Sequence, residues 1–167
     1  MFKINKSDYE KMIAFFKKDK YRILAMKILY KVLPLIIFIA YPILIVYTFF
    51  YMKSELIKIV FVPFAVFVFV TVLRKILNKP RPYEVFNTPS LFDKDTKGQS
   101  MPSRHTASAF IIAMTFLYID FYLGIIAFAI AFMIAMSRIL AGVHYIRDIL
   151  VGAGISVLTG IIFLFLI

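Results

Sequence analysis

Residues 32–52 run for 21 positions without a charged side chain. A helix of that length spans the roughly 30 Å hydrocarbon core of a bilayer. No other feature restricts the fold as strongly. In lipid, every backbone N–H and C=O needs an internal partner, so the segment is expected to be a helix with the rest of the chain arranged around it. Four further apolar runs follow, at about residues 56–77, 103–119, 122–137 and 146–167. The expected fold is all-α: a polytopic membrane bundle of about five transmembrane helices. Hydrophobic residues make up 62% of the 167, more than a soluble domain of this size can hide.

Residues 1–31 form a basic leader carrying Lys3, Lys6, Lys11, Lys17, Lys18, Lys20, Arg22 and Lys27. Tyr9, Met12, Ile13 and Phe16 recur at helical spacing within it, which points to an amphipathic helix on the membrane surface. A solvated basic leader is the alternative. The expected division is this segment, 1–31, followed by a transmembrane domain, 32–167. No cleavable signal pattern precedes the first apolar run, which is expected to be retained. The net charge of +11 flanks apolar runs, so it points to anionic headgroups or a phosphorylated substrate and not to nucleic acid. The absence of cysteine excludes disulfides and thiolate metal sites.

The polar residues gather in three places. The second apolar run ends in Arg74, Lys75, Lys79, Arg81 and Pro82, and a long polar loop, 78–101, follows. The third run opens with Pro102, Ser103, Arg104 and His105, and the turn between the last two holds Ser137, Arg138, His144 and Asp148. With five spans, antiparallel alternation brings all three clusters, and the leader, to one face of the membrane. His144 and Asp148 are four residues apart and share a face if they open a helix, so the carboxylate can hold the imidazole in one tautomer. Several cations around a nucleophile suit phosphoryl transfer, whose transition state carries its charge on the equatorial oxygens. The start of the third helix adds free N–H groups and a positive dipole end. The same six cations would oppose a divalent ion at the two histidines and Asp148, so no metal is expected.

These clusters resemble the signature of the type 2 phosphatidic acid phosphatase (PAP2) superfamily, integral membrane lipid phosphatases related to vanadium haloperoxidases. Arg74-x6-Arg81-Pro82 is similar to the first motif, which usually begins with lysine, and adjacent Lys75 is the alternative for that position. Pro102-Ser103-Arg104-His105 is similar to the second, with Arg104 in place of glycine. Ser137-Arg138-x5-His144-x3-Asp148 matches the third in full. The resemblance implies that His144 is the nucleophile, Asp148 orients it, and His105 is the general acid. It also implies phosphate binding by Arg81, Ser103, Arg138 and the Arg104 N–H, with Arg74 or Lys75 beside them, and no cofactor or metal.

The activity expected on this basis is metal-independent hydrolysis of a membrane lipid phosphate or diphosphate through a phosphohistidine. Polyprenyl diphosphate, phosphatidic acid and phosphatidylglycerol phosphate are the candidate substrates. The first is favoured because the compact body resembles small bacterial members, which also points to a bacterial cell membrane. The rival reading is a non-enzymatic protein that binds or flips phosphorylated lipids, although binding alone does not need an oriented histidine.

Overall fold

The computed structural model describes residues 4–167, so Lys3 of the basic leader lies outside the described residues. The described residues form helices and turns, with no strand among them, in agreement with the all-α expectation. Helix α1 (Lys6–Lys17) starts at Asn5, whose side chain accepts from the Asp8 N–H at 2.9 Å. Helix α2 (Lys20–Lys27) starts at Asp19 and continues through a π-helical turn, Ile28–Val32, into α3 (Leu33–Tyr51). The helix that enters the membrane therefore begins at Lys20, and a division between residues 31 and 32 falls inside it.

Helix α4 (Leu56–Leu77) ends at Asn78, whose left-handed backbone stops the helix. The short α5 (Pro82–Phe86) lies within the polar loop. Helices α6 (Arg104–Ile119) and α7 (Phe121–Leu140) are separated only by Asp120, which accepts from the Leu123 N–H at 2.8 Å. Helix α8 (Ile146–Gly160) runs on through a π-helical turn, Ile161–Leu166.

Four of the five expected spans are long and apolar enough to cross a bilayer: Lys20–Tyr51, Lys53–Phe86 (interrupted at Asn78), Phe121–Leu140 and Ile146–Leu166. The fifth, α6, has only 16 residues, about 24 Å by helical rise. It can be short because it is the centre of the bundle, packed against α3, α4, α7 and α8. Thr106, Ala109, Ala113 and Thr115 on it are fully buried. Large apolar side chains face outward instead, among them Phe50 (66% exposed), Phe64 (61%) and Leu158 (63%). Lipid is as apolar as leucine, so helices here associate by close packing of small residues and by hydrogen bonds.

Two contacts illustrate that rule. Pro63 has no N–H to give the carbonyl of Ile59 one turn back, and Tyr41 of α3 donates its hydroxyl to that carbonyl at 2.8 Å. On α8, Ser156 donates to the Ala107 carbonyl of α6 at 2.7 Å. One turn earlier, a Cβ on Gly152 would lie 2.8 Å from the Ser103 carbonyl oxygen, whereas one on Gly154 would meet nothing within 4 Å. Gly152→Ala should therefore lower stability by about 1–3 kcal/mol through forced separation of α6 and α8. Gly154→Ala should leave stability unchanged or raise it, since alanine is the better helix former. Thermal melts of the two variants in detergent check this, and equal melting temperatures would contradict it.

Candidate active site

The site is built where α4 ends and α6 begins. Past Asn78 the chain makes its loop and returns along the end of α4, where Ser100 N–H donates to the Lys79 carbonyl at 2.8 Å and Gln99 N–H to the Asn78 side chain at 3.2 Å. Glu84 secures the loop from inside, accepting from the N–H groups of Arg81 at 3.0 Å and Gly98 at 2.8 Å. Gly98 has a φ of +63°, and a Cβ there would lie 2.3 Å from the Asn78 side-chain oxygen. Only glycine fits this return. Its carbonyl accepts from Arg81 Nε at 2.9 Å, and the next carbonyl, that of Gln99, accepts from Arg74. The long polar loop is thus a scaffold that aims two arginines.

The second half of the site is the turn from α7 to α8. Arg138, 3% exposed, donates to the Tyr30 carbonyl at 3.0 Å, and its guanidinium stacks 4.0 Å from the centre of the Tyr30 ring. Gly142 turns the chain with a φ of +73°, placing His144 and then Asp148 at the start of α8. Asp148, fully buried, accepts through Oδ2 from the Tyr145 N–H at 3.0 Å and from the Ser100 hydroxyl. His144 Nδ1 lies 3.5 Å from the same oxygen and 3.5 Å from Ser100 Oγ. That is long for a hydrogen bond. With Nδ1 turned to Asp148, Nε2 is left for the cavity that His144 lines.

Burial pushes the His144 imidazole down from its ordinary 6.5 to about 4, against the opposing hydrogen bond to Asp148, and Arg81 and Arg74 add to the drop. The ring is therefore neutral at physiological pH and keeps a lone pair, as a nucleophile must.

The cavity has a volume of about 160 Å³ and is walled by Arg74, Arg81, Lys94, Arg104, His105, Arg138 and His144, with Tyr30, Thr96, Gln99 and Val143. Among the described residues, Arg74 Nε and Arg138 Nε are buried without a partner, which in a polar pocket suits an anion. Most of the residues expected from the motifs are thus brought together, and Asp148 stands behind His144. Two are not at the cavity. Lys75 is exposed and points away, so the cation at this turn of α4 is Arg74. Ser103 is fully buried; its hydroxyl accepts from Thr106 at 3.0 Å and does not line the cavity. It starts α6 and fixes it to α8 through its N–H, which donates to the Asp148 carbonyl at 3.0 Å.

The motifs do not include Lys94, Ser100 or Tyr30. Lys94 reaches the cavity from the loop, its ammonium held below its usual range by burial and by Arg81, Arg138, Arg74 and Arg104. Ser100 braces Asp148, and Tyr30 holds Arg138. Only Ser100 carried a signal, lying two residues before Pro102 in the second motif.

Comparison with known proteins places these features in a family. The model of the PAP2 superfamily matches residues 55–167. The crystal structure of Aquifex aeolicus LpxE is similar, with a TM-score of 0.74 and 25% identity over 96% of this chain and 94% of that one. That of the first transmembrane PAP2 type phosphatidylglycerolphosphate phosphatase from Bacillus subtilis shares the fold, with a TM-score of 0.66 and 21% identity over 94% of this chain and 83% of that one. No curated protein matches the chain in sequence.

Two outcomes are expected of the site. Protonation of His144 removes the lone pair, so the neutral ring should be present above about pH 4 and lost as pH falls through it. The chain has two histidines, so NMR of protein labelled with ¹⁵N-histidine resolves His144 against a His144→Ala control; a midpoint at 6.5 or higher would contradict the burial argument. Removing the Ser100 hydroxyl takes a hydrogen bond from a buried carboxylate, and Ser100→Ala should lower kcat about tenfold. Unchanged turnover would leave Ser100 as a packing residue.

Proposed function

Because this chain belongs to the PAP2 superfamily, it is a membrane lipid phosphatase, and we propose that it works through a phosphohistidine formed on His144. One observation carries the reading: a neutral, carboxylate-backed His144 and His105 line one cavity walled by five cations, Arg74, Arg81, Lys94, Arg104 and Arg138. The cations seat the phosphate and take up the charge that its equatorial oxygens gain in the transition state. The first turn of α6, whose N–H groups have no intrahelical partners, adds to this seat.

In the first step, the Nε2 lone pair of His144 attacks phosphorus and the bond from phosphorus to the bridging oxygen breaks. His105 gives its proton to the leaving oxygen. Asp148 and Ser100 stabilise the positive charge that grows on the His144 ring. The bound phosphate supplies the countercharge that lets His105 carry a proton among so many cations. In the second step, His105 takes a proton from water, the water oxygen attacks phosphorus, and the N–P bond breaks. Inorganic phosphate leaves and His144 is restored.

An apolar path supports a lipid substrate. A pocket of about 190 Å³ shares Arg104 and His105 with the cationic cavity, and shares Phe38, Phe67 and Ser108 with an apolar groove of about 490 Å³ between α3, α4 and α6. The leaving group therefore lies towards hydrocarbon, on the His105 side. Five cations also exceed what a monophosphate needs, which favours polyprenyl diphosphate over phosphatidic acid and phosphatidylglycerol phosphate, and with it a bacterial cell membrane.

The test is phosphate release from these three lipids by detergent-purified protein in EDTA, beside His144→Ala. Release should persist in chelator, be fastest on the diphosphate, and fall at least about 1,000-fold in the variant. Label from ³²P-lipid should stay on the wild-type protein after an alkaline quench and be absent from the variant. Binding without release on any lipid would favour a lipid-binding protein, and turnover by His144→Ala would end the phosphohistidine mechanism.

A further inference from the structure

Helix α1 precedes the region matched by the family model, yet it is packed against the turn that carries His144. Tyr9 is 1% exposed, and its hydroxyl donates to the Gly142 carbonyl at 3.2 Å. The fit is close: a Cβ on Gly142 would lie 2.6 Å from both the ring edge and the hydroxyl of Tyr9. Tyr9 also packs on Phe86 of α5, with ring centres 5.2 Å apart. Two polar contacts tie α1 to the same loop, Thr88 donating to Glu10 at 3.1 Å and Lys17 pairing with Asp93 at 3.8 Å. The apolar side of α1 is therefore covered by protein.

We propose that Tyr9 is a positioning residue for His144, holding the turn from Ala141 to Val143 so that the imidazole is aimed into the cavity. Successive peptides of this turn are held by different elements. The Ala141 carbonyl accepts from the Leu91 N–H at 3.0 Å, the Gly142 carbonyl accepts from Tyr9, and the Val143 N–H donates to the Arg138 carbonyl at 3.1 Å. The middle peptide is the one whose carbonyl is held from outside α7 and the loop. Beside it lies a void of about 50 Å³ lined by Tyr9, Pro82, Gly142, His144 and Tyr145. Shortening Tyr9 would enlarge this void directly against the histidine. The hydroxyl is a dependable donor, because burial pushes its ionisation well above the usual range and Tyr83 and Tyr145 add to this. In-line attack demands close placement, and a displacement of about 1 Å can cost about 100-fold in rate.

The inference rests on the reading of His144 as the nucleophile, and the experiment separates the two. Full-length wild type, Tyr9→Phe, Tyr9→Ala and His144→Ala are compared for kcat, KM and the rate of ³²P-phosphoenzyme formation. Tyr9→Phe keeps the ring and should lower kcat about threefold to tenfold by loss of one hydrogen bond. Tyr9→Ala should lower it about 100-fold, with KM within about twofold of wild type. Phosphoenzyme formation should slow in the same proportion, with the phenylalanine variant between wild type and alanine. Wild-type kcat in both tyrosine variants, or a rise in KM with kcat unchanged, would overturn the positioning role. If Tyr9→Ala does not fold, Tyr9→Phe decides alone. Turnover by His144→Ala would overturn the nucleophile reading itself, whatever the tyrosine variants do.

Discussion

The buried arginines of this protein are held by neutral partners. Arg74 donates to the Gln99 carbonyl, Arg81 to that of Gly98, and Arg138 to that of Tyr30 while stacked on its ring. A carboxylate in any of these places would orient the guanidinium equally well but cancel its charge. A carbonyl orients it and leaves the charge intact. Burying an unpaired cation costs several kcal/mol, and a hydrogen bond to a neutral acceptor returns only part of that. A bound anion would return the remainder, which makes the cavity suited to negative charge.

Asp148 is the counterpart. Its Oδ2 faces the Tyr145 N–H, the Ser100 hydroxyl and His144, and its Oδ1 lies 3.6 Å from Nε of Arg147, which is not among the arginines that wall the cavity. The cavity therefore has two electrostatic compartments, an uncancelled cationic wall and a screened carboxylate behind the histidine. Short α6 allows both. It begins at the cavity with Arg104 and His105, and its small, buried residues bring α8 close enough for Ser103 to bond the Asp148 backbone. The apolar groove joins this point through the pocket that Arg104 and His105 share with Phe38, Phe67 and Ser108, so polar and apolar surfaces meet within one bundle.

Much of this was legible in the sequence, because some residues act through side chains in a fixed spacing. His144, Asp148, Arg81, Arg138, Arg104 and His105 could be read off their motifs, and helix periodicity and charge-free length announced the bundle. What escaped reading acts through the main chain or through packing at long range. Gln99, Gly98 and Tyr30 serve the arginines by their carbonyls, which every residue has, and Tyr9 meets Gly142 across 133 positions. Lys94 lay in a charged loop with nothing to distinguish it from Lys97. The choice between Arg74 and Lys75 depended on the rotation of α4, which its all-round apolar surface does not fix. Ser103 has the right position in its motif, but its hydroxyl turns into the helix packing.

Because the arginines are anchored by main-chain oxygens, the loop that supplies them is free to drift in sequence. A change at Gln99 alters a side chain but not the carbonyl beneath it, provided the backbone follows the same path. The exceptions are Gly98, whose left-handed backbone and contact with Asn78 admit no side chain, and Glu84, Lys94 and Ser100, which act through their side chains. Variation among homologous loops should therefore be wide at positions such as Gln99, and an engineer can rewrite the cavity's rim there without re-aiming the arginines behind it.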